Sequence, residues 1–291
     1  MIPELSTPVG IVCHDAGGTN QILALLRHTN FVSVSAYVEG PAKKLWDEAF
    51  PDSYIYNNLS ELLAKSGTLI TGTGWASNLE HIARVEAKAK GIYSIAVLDH
   101  WVNYEDRFVR EKELVLPDEL WVVDEYALRM ARNIFPSLKI TLIPDFYADQ
   151  QVKMIASVAA ANELLYLLEP MRSDWGRDEL GEFQALRYFF ERLPQLSLPA
   201  KTVIRLRPHP SDSPGKYDLF LGEFSSYLIL LDTENLIKSL SRARWVVGCQ
   251  TYAMTLALKI KRTVYCSLPP WAPACKLPHD GLIHIKEFDG P

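Results

Sequence analysis

Pro8-Val9-Gly10-Ile11-Val12-Cys13-His14-Asp15-Ala16-Gly17-Gly18 is the stretch on which the reading of this 291-residue chain turns. Pro8 to Asp15 is a short apolar run rich in β-branched residues and reads as a buried strand. Ala16-Gly17-Gly18 then breaks it, and Ile22, Leu23, Leu25 and Leu26 follow at helical spacing. Strand, glycine turn and helix in that order open a parallel α/β unit. Outward from it the alternation continues. Strands are expected over Val32–Val38, Thr68–Thr71, Tyr93–Leu98, Leu120–Val123 and Lys139–Ile143, with helices near Lys43–Phe50, Leu59–Lys65, Asn78–Lys90 and Tyr126–Ile134.

A helical stretch, Ala148–Ala161, leads to a second series. Its expected strands are Leu164–Leu168, Thr202–Arg207, Tyr227–Leu231, Trp245–Gly248 and Thr263–Cys266. Helices near Glu179–Arg192, Glu234–Ser241 and Tyr252–Leu258 separate them. The fold class is therefore α/β: two Rossmann-like lobes with parallel sheets, residues 1–150 and 163–291, enclosing a cleft. One continuous large sheet is the alternative. In either case ligands belong beyond the carboxyl ends of strands. Pro269-Pro270-Trp271-Ala272-Pro273 cannot continue a helix or a central strand.

Composition narrows the function. Hydrophobic residues make up 48% and charged residues 22%, as in ordinary globular domains. With 30 basic and 35 acidic side chains the net charge is −5, which argues against gripping nucleic acid by bulk charge. Cys13, Cys249, Cys266 and Cys275 are scattered with no C-x-x-C pair, the usage of reduced thiols rather than of a disulfide framework or zinc site. No apolar run approaches the ~20 residues that span a bilayer, and the start is not of secretory type. A cytoplasmic protein is expected, with attachment at the inner face of a membrane left open.

Ile204-Arg205-Leu206-Arg207-Pro208-His209-Pro210-Ser211-Asp212 carries the chemistry most sharply. Period-two alternation puts Arg205, Arg207 and His209 on one face of a strand, and donors of that kind at its carboxyl end receive phosphate or carboxylate. A solvated edge strand ending in a turn is the bland alternative. Trp245-Val246-Val247-Gly248-Cys249-Gln250-Thr251-Tyr252 reads as strand into helix, with Gln250 and Thr251 at a helix start that would offer backbone N–H groups to an anion. An ordinary capped helix fits the same residues.

These two elements together resemble the donor lobe of GT-B glycosyltransferases. The His209-Pro210 element is similar to that of bacterial sialyltransferases, Kdo transferases and related enzymes that use CMP-activated acidic sugars. The resemblance covers mainly residues 200–260. It implies that His209 contacts the nucleotide phosphate, assisted by Thr251. The paired serines of that family stand here as Gln250-Thr251, and its acidic-acidic-glycine base motif is absent. It further implies a nucleotide-sugar donor, a glycan or glycolipid acceptor in surface-polysaccharide synthesis, and neither cofactor nor metal.

The base must then come from the amino-terminal lobe. Asp15, with His14, stands at the mouth of the first strand, and Gly17 and Gly18 let a ligand approach the backbone. A carboxylate there can take the proton of an attacking hydroxyl, though a turn-forming aspartate is the plainer alternative. Asp99 is the reserve. Thr71-Gly72-Thr73-Gly74-Trp75 ends another strand, and Trp75 with His100, Trp101, Asn103 and Tyr104 offers the aromatic faces and hydrogen-bonding groups that suit a sugar. Packing of those aromatics into the core is the alternative. Ser77 and Glu80 fit a capping box. No H-x-H or H-E-x-x-H spacing supports a metal. A transferase is the leading expectation. A UDP-N-acetylglucosamine 2-epimerase or UDP-sugar hydrolase is the runner-up, followed by a non-catalytic nucleotide- or glycan-binding subunit.

Overall fold

The computed structural model describes residues 5–29, 33–74, 77–156, 162–171 and 173–289. The chain divides into two compact units, Met1–Gln150 and Gln151–Pro291. Each holds its own six-stranded parallel sheet, so the single large sheet is excluded.

The first unit contains β1 (Val9–Cys13), α1 (Ala16–His28), β2 (Val34–Val38), α2 (Gly40–Ala49), α3 (Leu59–Ala64), β3 (Thr68–Thr71), α4 (Leu79–Lys90) and β4 (Tyr93–Val97). A short antiparallel pair, β5 (Val109–Arg110) and β6 (Glu113–Leu114), precedes β7 (Glu119–Val122), α5 (Glu125–Ile134) and β8 (Lys139–Leu142), and α6 (Phe146–Met154) carries the chain across the boundary at Gln150. The sheet order is β2-β1-β3-β4-β7-β8. Helices cover both faces, so β1 and β3 are buried throughout, and β1 is spelled as an unbroken apolar run. The edge strand β8 is exposed at both ends and half-buried between them.

The second unit runs β9 (Glu163–Leu167), α7 (Gly181–Arg192), β10 (Val203–Arg207), α8 (Asp218–Glu223), β11 (Ile229–Leu231), α9 (Leu236–Arg242), β12 (Trp245–Gly248), α10 (Tyr252–Lys259), β13 (Thr263–Cys266) and β14 (Leu282–His284). Its order is β11-β10-β9-β12-β13-β14. Phe189, Phe190, Tyr188 and Leu186 of α7 pack on Leu164, Tyr166, Ile204 and Val247 of the sheet.

Three expectations need amendment. The helix predicted over Ala148–Ala161 ends at Met154, and residues 157–161 lie outside the described ones. The last strand, β14, follows the proline segment and was not predicted. Neither was the β5–β6 hairpin, whose two-residue strands are too short to show a period. Among the described residues no helix is long and apolar enough to cross a membrane.

Strand order fixes where a ligand belongs. In an open parallel sheet the connections on either side of a reversal in order leave opposite faces, opening a crevice at the carboxyl ends. That reversal falls between β1 and β3 in the first unit and between β9 and β12 in the second.

Candidate functional site

At the first switch point the chain leaves β1 through His14 and Asp15. His14 Nδ1 lies 2.7 Å from Asp15 Oδ1, and the two side chains remain 22% and 26% exposed. This is a dyad in which a carboxylate orients an imidazole, open enough for a substrate hydroxyl to reach. The loops around it meet with almost no space between them. Gly18 packs on the backbone of Gly72, and a Cβ on Gly17 or Gly74 would collide with the carboxylate of Asp99 or Asp15 respectively.

Two residues lock these loops together. Glu80 is 1% exposed, and its carboxylate accepts the His14 N–H at 3.1 Å and the Gly74 N–H, joining the β1 and β3 exits. Glu80 is structural as expected, but it turns to the β1 and β3 exits and does not close a capping box; the Ser77 hydroxyl accepts the Leu79 N–H at the start of α4. Burial pushes the Glu80 carboxyl up to about 7, outweighing the two N–H donors and Arg84, which pull it down. Arg107, also buried, donates to Asp99 Oδ1 at 3.0 Å and to the Thr73 carbonyl at 3.1 Å, clamping the β4 exit to the β3 exit.

The elevated carboxyl of Glu80 makes a pH prediction. The folded chain keeps its proton up to about pH 7, whereas an unfolded glutamate releases it near ~4.3. Between those values the folded state binds more protons, so the Glu80 contribution to stability falls as pH rises. Urea unfolding at several pH values should show that slope weakened in Glu80→Gln; an unchanged slope would place the proton elsewhere.

The loop after β4 departs from expectation. Trp101 and Tyr104 are only 3% exposed, so neither can serve as a sugar platform. The Trp101 indole N–H donates to Asp124 Oδ2 at 2.8 Å, and that aspartate also caps α5 through the Ala127 N–H. Packing consumed these aromatics. His100 and Asn103 stay half-buried; His100 Nδ1 accepts the Trp101 N–H, and Asn103 takes a left-handed backbone, φ 56°. Trp75 lies outside the described residues.

At the second switch point Glu169 follows β9. Its Oε1 accepts the backbone N–H groups of Cys249, Gln250 and Thr251 at 2.8, 2.8 and 3.0 Å. The cradle expected for a phosphate is thus filled by the chain's own carboxylate. Gln250 and Thr251 are correctly placed at the start of α10, but their backbone donors are taken, and the Thr251 side chain makes no cap hydrogen bond. Burial drives Glu169 up to about 7 even against three N–H donors.

The basic strand is divided as well. Arg205 leans towards the amino end of the neighbouring strand and pairs with Glu163 at 2.7 Å, away from the carboxyl edge; it is removed from the set of converging donors. Arg207, at the end of β10, reaches Asp232 at 2.8 Å and the Ser239 hydroxyl. His209 is exposed in the following loop. Its Nδ1 lies 2.7 Å from the Ser211 hydroxyl and 3.2 Å from the Ser211 N–H, so Nε2 is the ring nitrogen that can meet an anion. Asp212 accepts the His209 N–H at 2.8 Å and is bound by Lys216, which also pairs with Glu182 of α7. Burial opposes ionisation of Asp212, but Lys216 and the His209 and Tyr217 donors outweigh it and hold the carboxyl below its ordinary value.

Glu80, Arg107, Glu169 and Asp212 are the organising residues that the sequence did not single out for these roles. Each is a charged residue next to or within a predicted loop; Glu80, Arg107 and Glu169 find partners distant in sequence, whereas Asp212 is held by His209, Lys216 and Tyr217 close by. Among the described residues no group of three or more His, Cys, Asp or Glu side chains is placed to hold a metal ion.

No protein-family model and no curated protein matches the sequence. Solved structures do match the fold. A Listeria monocytogenes protein assigned as a UDP-N-acetylglucosamine 2-epimerase superposes with TM-score 0.60 at 11% identity, over 89% of this chain and 79% of that one. HepE of Anabaena, solved with UDP and glucose, gives 0.56 at 8% identity, over 94% and 84%. MurG of Acinetobacter baumannii gives 0.51 at 12% identity, over 89% and 78%. At such identities the likeness is one of fold: two parallel Rossmann-like units of the GT-B type.

Proposed function

We propose that the chain is a glycosyltransferase that moves a sugar from a nucleotide donor to a glycan or glycolipid acceptor. The observation that carries this reading is the His14–Asp15 dyad, half-exposed at the β1–β3 switch point of a GT-B-type fold. In transfer the acceptor hydroxyl must lose its proton as it attacks the anomeric carbon. Asp15, acting directly or by orienting His14, takes that proton, and Asp99 is held in reserve by Arg107. The leaving nucleotide binds the second unit, with the His209 Nε2–H donating to its phosphate and Arg207 adding positive charge at the same strand end. Protein cations in that role remove the need for a metal. The resemblance at Arg207-Pro208-His209-Pro210 favours a CMP-activated nonulosonic acid or Kdo as donor and a role in surface-polysaccharide synthesis.

The test is incubation with CMP- and UDP-sugars, with and without glycan acceptors. Turnover only with an acceptor supports transfer. The second reading, isomerisation or hydrolysis of a UDP-sugar, is favoured by the TM-score of 0.60 to the Listeria protein, and acceptor-independent turnover would select it.

His209→Ala should weaken nucleotide binding by about 1.5–3 kcal/mol, the contribution of one charge-assisted contact, without lowering the melting temperature, because the ring is exposed. Titration calorimetry with CMP and UDP reads this. Unchanged affinity for both removes His209 from the site.

A further inference from the structure

Three of the four cysteines gather at the β12–α10 turn. Cys266 ends β13, and Cys275 lies in the proline-rich segment beyond it. Their sulfurs converge on a single oxygen, the Cys249 carbonyl, at 3.1 Å from Cys266 and 3.4 Å from Cys275. The neighbouring Cys266 thiol holds that of Cys275 below its ordinary value. Cys266 is fully buried, whereas Cys275 is partly exposed. Cys249 points its own sulfur elsewhere, 3.9 Å from the Ser267 hydroxyl. A partly exposed thiol beside a fully buried one, both within reach of the same oxygen, is the arrangement of an attacking and a resolving cysteine.

We propose that Cys275 and Cys266 are a peroxide-reactive pair that closes a reversible disulfide across the segment between them. The Cys275 thiolate attacks one oxygen of hydrogen peroxide, the O–O bond breaks, and the departing hydroxide takes a proton to become water. Cys275 is then a sulfenic acid. The Cys266 thiol gives up its proton as its sulfur attacks that of Cys275, the S–O bond breaks, and the departing hydroxide takes that proton as a second water. Two thiols are oxidised and one peroxide is reduced.

The crosslink has a structural target. Ser267 donates its N–H to the Gly248 carbonyl at 2.9 Å, and the Lys276 N–H reaches Gln250 Oε1 at 3.2 Å. Both ends of the closed segment are therefore next to the turn that Glu169 occupies, and the disulfide fastens one to the other. This holds whatever the protein catalyses.

The experiment starts from the reduced full-length chain, exposed to a small excess of hydrogen peroxide, blocked with N-ethylmaleimide, digested and mapped by mass spectrometry. The expected product is a peptide pair joined through Cys266 and Cys275 and released by dithiothreitol. Cys266→Ala should give no crosslink and leave Cys275 trapped by dimedone as a sulfenic acid adduct. Cys275→Ser should give neither. Circular dichroism checks folding of each variant; if Cys266→Ala does not fold, the wild-type map decides alone. The alkylation is done in urea so that the buried Cys266 is reached, and the proposal is overturned if both thiols of the peroxide-treated wild type are then alkylated, or if Cys275 joins Cys249 instead.

Discussion

Glu169→Ala should destabilise the carboxyl-terminal unit by about 2–4 kcal/mol, the largest loss of stability expected from any single change at either switch point. The carboxylate holds three consecutive backbone N–H groups. A hydrogen bond to a charged group contributes roughly 1.5–3 kcal/mol, and a buried donor left without a partner costs about 1–3. Those contributions do not add fully, because water entering the vacated space would solvate part of the turn. Glu169→Gln retains an acceptor of the same shape and should lose less. Urea unfolding with a probe in the second unit measures both. A loss below about 1 kcal/mol for the alanine variant would mean that water satisfies the turn as well as the carboxylate does.

If Asp15 is the proposed base, Asp15→Asn should lower turnover by about 10²–10⁴-fold, the usual range for losing a general base, while nucleotide affinity, which the proposal assigns to the other unit, stays within about twofold. Asparagine keeps the size of the side chain but not its charge, so a direct base is lost and an oriented His14 is left in the wrong tautomer. His14→Ala separates the two roles. If Asp15 alone takes the proton, the alanine variant retains most of its activity; if the imidazole is the base, it falls as far as the asparagine variant. Asp99→Asn should have a smaller effect, since that carboxylate is paired with Arg107. Near-normal transfer by Asp15→Asn would reduce Asp15 to a turn residue.

Reading the sequence recovered what is local. Strands of the central sheet are legible because burial on both faces makes them apolar without interruption, as in Val9–Cys13 and Trp245–Gly248. The residues released at their ends, His14 with Asp15 and Gln250 with Thr251, are legible for the same reason. Partnerships across the sheet are not. Glu169 meets residues 249–251 only because β9 lies beside β12 in the strand order, and no spacing along the chain encodes that neighbourhood. Side-chain direction along a strand is equally hidden. Alternation correctly put Arg205 and Arg207 on one face, but only the position of Glu163 and Asp232 decides that one leans to the amino end and the other to the carboxyl end. Trp101 and Tyr104 were misread because an aromatic residue in a loop has the same spelling whether it lines a pocket or closes a core.

The contacts between acids and glycines at the β1 and β3 exits carry a consequence for how this site can change over generations. Asp99 fills the space over Gly17, Asp15 that over Gly74, and Glu80 that over Gly72. Each acid and its glycine therefore form one heritable unit. A side chain on the glycine must push the carboxylate from its place while the acid keeps its length, and shortening the acid opens room that a larger residue can then fill. Lineages that exchange the chemistry of this mouth should do so by paired substitutions, acid first and glycine second, because the reverse order passes through a displaced acid.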